Sequence, residues 1–115
     1  MHPHDHPGTR RRELECAWVG EVTWRQTASL REVLFDHLDH PRCAGVRLDV
    51  QKVTGIDRVG VALLIGANRR AARAGRRLQL IDSSGPVTNT LARMRLLHHF
   101  LVTRPTGPSS AETLA

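Results

Sequence analysis

The chain has 115 residues, 40% of them apolar, and a formal net charge of +6 that comes from sixteen arginines and one lysine set against eleven acidic residues. That length fits one domain, which buries roughly two-thirds of its unfolded surface and needs neither disulfides nor metal to fold. Two cysteines without C-x-x-C spacing, an N-terminus MHPHDHPGTRRR without an apolar run, and no apolar stretch near the ~20 residues of a membrane span argue against a zinc site, a secretory signal and membrane insertion. The expectation is a reduced, cytoplasmic protein.

Residues 1–12, rich in His, Pro and Arg, read as a disordered arm. In 13–19, ELECAWV, Leu14, Cys16 and Trp18 alternate with Glu13 and Glu15, the pattern of a half-buried strand that breaks at Gly20-Glu21-Val22-Thr23-Trp24. From Thr27 to about His40, Leu30, Val33, Leu34, Phe35 and Leu38 follow helical spacing, with Thr27 as the cap and Pro41 just beyond the end. In 45–51, GVRLDVQ, the alternation returns, with Val46, Leu48 and Val50 inward and Arg47, Asp49 and Gln51 outward. A second helix is expected from about Val59 to Ala74, with Val61, Leu64, Ile65 and Ala72 inward. Arg69, Arg70 and Arg73 lie near its C-terminus, where the dipole favours cations, and Gly75 stops it. RLQLID at 77–82 forms a third strand and Ser84 is the plausible cap of a third helix. Val87, Leu91, Met94 and Leu97 line that helix, and 100–102 forms a last strand. The segment 103–115 reads as a flexible tail.

The order is β-α-β-α-β-α-β, which implies parallel pairing in an α/β domain over residues 13–102. Strands covered on both faces are almost wholly apolar. Strand 45–51 carries Arg47 and Asp49 on its second face, so the expected fold is a mostly parallel four-stranded sheet with three main helices on one face and the other face open. With only four aromatic residues, the core must be built from Leu, Val, Ile and Ala.

Five segments then stand out in order. They are Gly20-Glu21 before the Thr27 helix, Val46-Arg47-Leu48-Asp49-Val50, Thr54-Gly55-Ile56-Asp57-Arg58-Val59-Gly60-Val61-Ala62-Leu63-Leu64, Leu78-Gln79-Leu80-Ile81, and Gly85-Pro86-Val87. Together they resemble a STAS domain, the family of bacterial anti-sigma factor antagonists. The resemblance implies a non-enzymatic switch without cofactor or metal. Its partner would be an anti-sigma factor, often a serine kinase of the histidine-kinase ATPase fold. In such domains the serine or threonine after the signature Asp accepts phosphate, whose charge weakens the complex.

This chain departs there: the position is Arg58, which has no hydroxyl and carries charge opposite to a phosphate's. The resemblance also implies an acidic residue near Val22-Thr23 and, in many relatives, a leading strand before residue 13. A cation in the first turn opposes the helix dipole, and Asp57 one residue earlier can cap the helix and offset it. Arg58 reads either as a tolerated exposed residue or as a fork for a partner's carboxylate or phosphate. The expected partner-binding set is Asp57, Arg58, Val59, Gly60 and Val61, flanked by Glu21, Thr23 and Thr27, because parallel strands bring their C-terminal loops to one edge. Gly60 is expected to admit a partner's backbone.

Ile81-Asp82-Ser83-Ser84-Gly85 spells the family signature more closely, but it follows the later strand, so capping by Ser83 or Ser84 is favoured over a relocated phosphoacceptor. Arg69, Arg70, Arg73, Arg76 and Arg77 form a basic cluster. Without aromatic stacking platforms or a groove-reading motif, it argues for a solvated helix end or an acidic protein partner rather than nucleic acid. Cys16 is expected in the core and Cys43 in a more exposed loop, and a redox pair would need Cα atoms within about 7 Å. His2, His4 and His6 belong to the arm, His98 and His99 to a partly exposed segment, and His40 with Cys43 lacks the third group of a catalytic set. The alternative function is a scaffold or transporter-associated STAS accessory subunit.

Overall fold

The second strand runs through the middle of the molecule. Val46, Leu48 and Val50 are wholly buried while Arg47 and Asp49 between them are half-exposed, as the alternation predicts. The structure is a computed structural model that describes residues 10–82 and 85–105; the expected arm up to residue 9, Ser83 and Ser84, and the tail beyond 105 lie outside the described residues. The strands are β1 (Arg12–Val22), β2 (Cys43–Ile56), β3 (Arg77–Ile81) and β4 (Leu101–Thr103), and the helices are α1 (Thr27–Asp39), α2 (Arg58–Arg73) and α3 (Pro86–Arg93). A short 3-10 turn, Leu97–His99, leads into β4.

All three strand pairs are parallel and the sheet order is β1-β2-β3-β4. Crossovers between parallel strands are right-handed, so stepping across the sheet in one direction puts every connecting helix on the same face. On that face Leu34 and Leu38 of α1, Val61, Leu64, Ala67 and Ala71 of α2, and Val87 and Leu91 of α3 pack on Trp18, Val46, Leu48, Val50, Leu78 and Leu80. Each fully buried Leu or Val stabilises the fold by about 1.5–3 kcal/mol relative to exposure. The opposite face carries Glu15, Arg47, Asp49 and Gln51, with Arg47 Nε 3.8 Å from the Glu15 carboxylate.

Several local expectations are corrected. Strands β1 and β2 run on to Val22 and Ile56, because they stay paired past register shifts between Ala17 and Val19 and between Gly20 and Glu21. Gly20 adopts φ 82° there, a conformation that costs glycine little. Residue 12 is in β1, not in an arm. In α2 the inward alanines are Ala67 and Ala71, and Ala72 is exposed. The helix stops as expected, with Gly75 at φ 69° just past Ala74. Helix α3 ends at Arg93, which leaves Met94 exposed. Its cap position is Gly85, and the helper is Asp82, whose carboxylate accepts from Gly85 N at 3.2 Å and from Thr88 Oγ1 at 3.1 Å.

The cysteines reverse the expectation. Cys43 opens β2 and is fully buried, while Cys16 is half-buried against the core. Burial pushes both thiols above their ordinary value. Cys43 sits opposite Arg12, four residues before Cys16 on the neighbouring strand. That offset is about 13 Å at 3.3 Å per residue, too far for a disulfide.

Candidate functional site

The C-terminal ends of β1 and β2 lie side by side, with Val22 opposite Ile56. The chain leaves β2 into Asp57, which is the N-cap of α2. One carboxylate oxygen of Asp57 accepts from Gly60 N at 2.9 Å, and the other accepts from Trp24 N, in the loop after β1, at 3.0 Å. Asp57 N in turn donates to Val22 O at 3.1 Å. One residue thus ties together the end of β1, the β1–α1 loop and the first turn of α2. The Gly60 amide, followed by the amides of Trp24 and Val59, holds the carboxyl below its ordinary value.

Arg58 and Val59 follow in the first turn of α2, both exposed, with Val59 at 45%. No acidic residue occupies that turn, so Asp57 is the charge that offsets Arg58 against the helix dipole. Gly60 and Val61, expected at the contact surface, are buried instead. A Cβ on Gly60 would lie 2.7 Å from Ile56 Cγ1 and 2.8 Å from Val22 O, so glycine is needed there for α2 to press against the strand ends and not to admit a partner. Val61 is part of the core.

Glu21, near the end of β1, is exposed, and Thr23 in the following loop and Thr27 at the start of α1 are half-exposed. Thr27 does not cap α1: its hydroxyl donates to Trp24 O at 3.1 Å, and the cap position is Gln26. The Gln26 side chain folds back and accepts from Thr23 N at 3.0 Å and Thr23 Oγ1 at 2.5 Å. These bonds hold up Trp24, 64% exposed, with the Arg25 guanidinium 5.1 Å from its ring centre. Trp24 was missed as a surface residue, and the only hint in the sequence is a tryptophan in a break between a strand and a helix, next to an arginine. Trp and Arg are the residue types that most often dominate protein interfaces.

The basic cluster does not form one patch. Arg70 makes a bidentate pair with Asp39 at 2.8 and 2.7 Å, which pulls the Asp39 carboxyl down from its ordinary value. Arg76 turns inward and donates to Leu38 O. Among the described residues, no group of His, Cys, Asp and Glu is arranged to hold a metal ion, and no helix is long and apolar enough to cross a membrane.

The family model described as "Mlab, STAS domain" matches residues 11–103. The chain belongs to the STAS family. Among curated proteins none matches in sequence. Several solved structures share the fold. The unphosphorylated anti-sigma factor antagonist SpoIIAA superposes with a TM-score of 0.66 at 14% identity, over 90% of both chains. A putative anti-sigma factor antagonist from Thermotoga maritima gives 0.68 at 15% identity, over 96% of this chain and 97% of that one. The STAS domain of a SulP transporter from Vibrio cholerae gives 0.61 at 16% identity, over 96% and 89%. At such identities the likeness is one of fold.

Proposed function

We propose that this STAS domain is a non-enzymatic, cytoplasmic protein-binding regulator that antagonises an anti-sigma factor, with its contact surface on Trp24, Asp57, Arg58 and Val59 and flanked by Glu21, Thr23 and Thr27. The observation that carries the reading is Arg58: an exposed guanidinium in the first turn of α2, directly after the capping Asp57. The resemblance puts a phosphorylatable hydroxyl at that position. An arginine offers no hydroxyl to accept phosphate, stays charged at all physiological pH, and presents a planar fork to a carboxylate or phosphate on the partner. On this reading the domain is not switchable by hydroxyl phosphorylation at residue 58.

Mechanistically, the exposed Trp24 and Val59 supply desolvated area and Arg58 supplies charge. Asp57 holds the two segments that carry them in a fixed relation, which lowers the ordering cost of binding. The test is affinity capture from a native lysate with the full chain and with Arg58→Glu and Val59→Asp. Recovery of an anti-sigma factor by the native chain and its loss in both variants supports the reading, and equal recovery by all three overturns it. A kinase shown to bind the chain should transfer phosphate to Arg58→Ser; failure to do so would show that residue 58 does not occupy the acceptor geometry.

A second reading, a transporter-associated STAS accessory subunit, is favoured by the likeness to the SulP transporter domain. Capture of an ATPase or transporter subunit in place of an anti-sigma factor would select it.

A further inference from the structure

Helices α1 and α2 enclose an apolar groove of about 350 Å³ on the solvent side. It is lined by Thr27, Ala28, Arg31 and Phe35 from α1 and by Val59, Ala62, Leu63 and Gly66 from α2. Its upper end meets the proposed contact surface at Thr27 and Val59, and it then follows the first half of α2 as far as Gly66. Among the described residues, its only charged lining side chain is Arg31.

Three observations bear on what fills it. The first is Gly66. A glycine inside a helix is destabilising relative to alanine. Gly66 has no left-handed φ, and a Cβ built on it meets nothing within 4 Å. Nothing among the described residues accounts for the missing side chain; space on the groove floor does. The second is Phe35, whose ring is in contact with two guanidinium groups, Arg31 at 4.6 Å and Arg70 at 4.9 Å from its centre. Asp39 holds Arg70 with both oxygens. The aromatic wall is therefore set before anything binds. The third is the row Arg58, Ala62, Gly66, Arg70, spaced four residues apart along α2. Such a row forms one ridge of a helix, here low in the middle and cationic at both ends, about 18 Å long at 1.5 Å per residue. Arg70 is engaged by Asp39, so Arg58 and Arg31 are the cations left to meet a partner. Glu32 and Asp36 line an adjoining depression that shares Ala28, Arg31 and Phe35 with the groove, and neither carboxylate lines the groove itself.

The geometry points to an acidic amphipathic helix of a partner protein lying along this groove. Its small apolar ridge sits over Ala28, Ala62 and Gly66, and its carboxylates pair with Arg31 and Arg58. A helix fits because its backbone hydrogen bonds are satisfied internally and the groove walls offer no strand edge, and small residues on the floor let two helix axes come close. The inference rests on the protein-binding reading above and names the shape and charge of what binds.

The probe is a designed 18-residue helical peptide with an Ala/Leu ridge and flanking Glu residues, alongside a twin in which Lys replaces each Glu. Each is titrated into the isotope-labelled full chain. The acidic peptide is expected to shift the amides of Ala28, Phe35, Ala62 and Gly66 and to bind at least about tenfold tighter than the Lys twin at low salt. Gly66→Leu should weaken binding by about tenfold or more while the thermal midpoint stays at or above the native value, since leucine is the better helix former. Arg31→Glu should reverse the preference between the peptides. Equal binding of both peptides, no binding by the acidic one, or shifts elsewhere would overturn the inference. So would a concentration-dependent dimer of the chain that Gly66→Leu abolishes, because the groove would then belong to a second copy. Full partner capture by Gly66→Leu together with its loss in Arg58→Glu would remove the groove and leave the contact surface at the start of α2 standing.

Discussion

Two turns at the same edge of the sheet are spelled alike and built differently. Asp57-Arg58-Val59-Gly60 and Asp82-Ser83-Ser84-Gly85 both set an aspartate three residues before a glycine. In both, the carboxylate accepts from the glycine amide, at 2.9 and 3.2 Å. In the first turn the aspartate is the helix cap and the glycine lies inside α2, so the two residues between them ride on the exposed first turn. In the second the glycine is the cap and Pro86 begins α3. Asp82 is only 3% exposed and also accepts from Thr88 Oγ1, whereas Asp57 is half-exposed and reaches across to Trp24. The second string looks more like the family signature, yet the first occupies the place where a helix start faces outward. What matters is the phase of the turn relative to the helix, not the letters.

The comparison can be broken in several ways. The largest effect is expected at the glycines. Gly60→Val places methyl groups where Ile56 and Val22 already stand, so it should cost about 3 kcal/mol in urea unfolding. Gly85→Ala meets the ends of the Asp82 carboxylate at 3.0 and 3.4 Å and should cost about 1 kcal/mol or less. Equal costs would mean that the two glycines play one role. Next come the aspartates. Asp82→Ala leaves the part-buried Gly85 and Thr88 donors without their acceptor and should cost about 2 kcal/mol, more than Asp57→Ala, a lost cap near the surface.

A smaller effect is pH-dependent. Asp57 is held below its ordinary value of 3.8 by the Gly60 amide, and Asp39 by its bond to Arg70. A carboxyl depressed in the folded state contributes stability that is fully present above its unfolded value and is lost as pH falls through the folded one. Denaturant midpoints should therefore drop below pH 3.8, and Asp57→Asn should flatten that decline; an unchanged acid limb would show that the cap bonds do not favour the charged form. Smallest of all, Arg58→Glu should raise stability by about 0.3–1 kcal/mol by placing an anion at the positive end of the α2 dipole. A gain in stability together with lost binding would show that residue 58 serves the surface at the fold's expense.

Much of the architecture was legible because it is written as alternation. Val46, Leu48 and Val50 against Arg47 and Asp49 gave both the strand and the open face, and the spacing of Leu34 and Leu38 gave the inner side of α1. The phase failed where the backbone departs from regularity. Register shifts in β1 carry the pairing on to Val22 and Ile56, past residues whose polarity suggests an end. The cap of α1 was misread because the Thr27 hydroxyl is drawn back to Trp24 O, a bond set by the loop. Ala72 was placed inward and Ala67 and Ala71 overlooked, since small residues leave almost no mark on a hydrophobic pattern. That Asp57, Arg58 and Val59 open α2 could be read from the order of segments. Trp24 and the groove around Gly66 could not, because each depends on two elements meeting, which periodicity within one element does not encode.

The Asp57 carboxylate has a dynamic consequence. Its two oxygens hold the amide of Trp24, 33 residues before it in sequence, and that of Gly60, three residues after it. Neither amide can be released without loosening the same side chain, so the two should exchange deuterium with a shared opening free energy and behave as one local unfolding unit. In Asp57→Ala the Trp24 and Gly60 exchange rates should diverge, each set by its own segment.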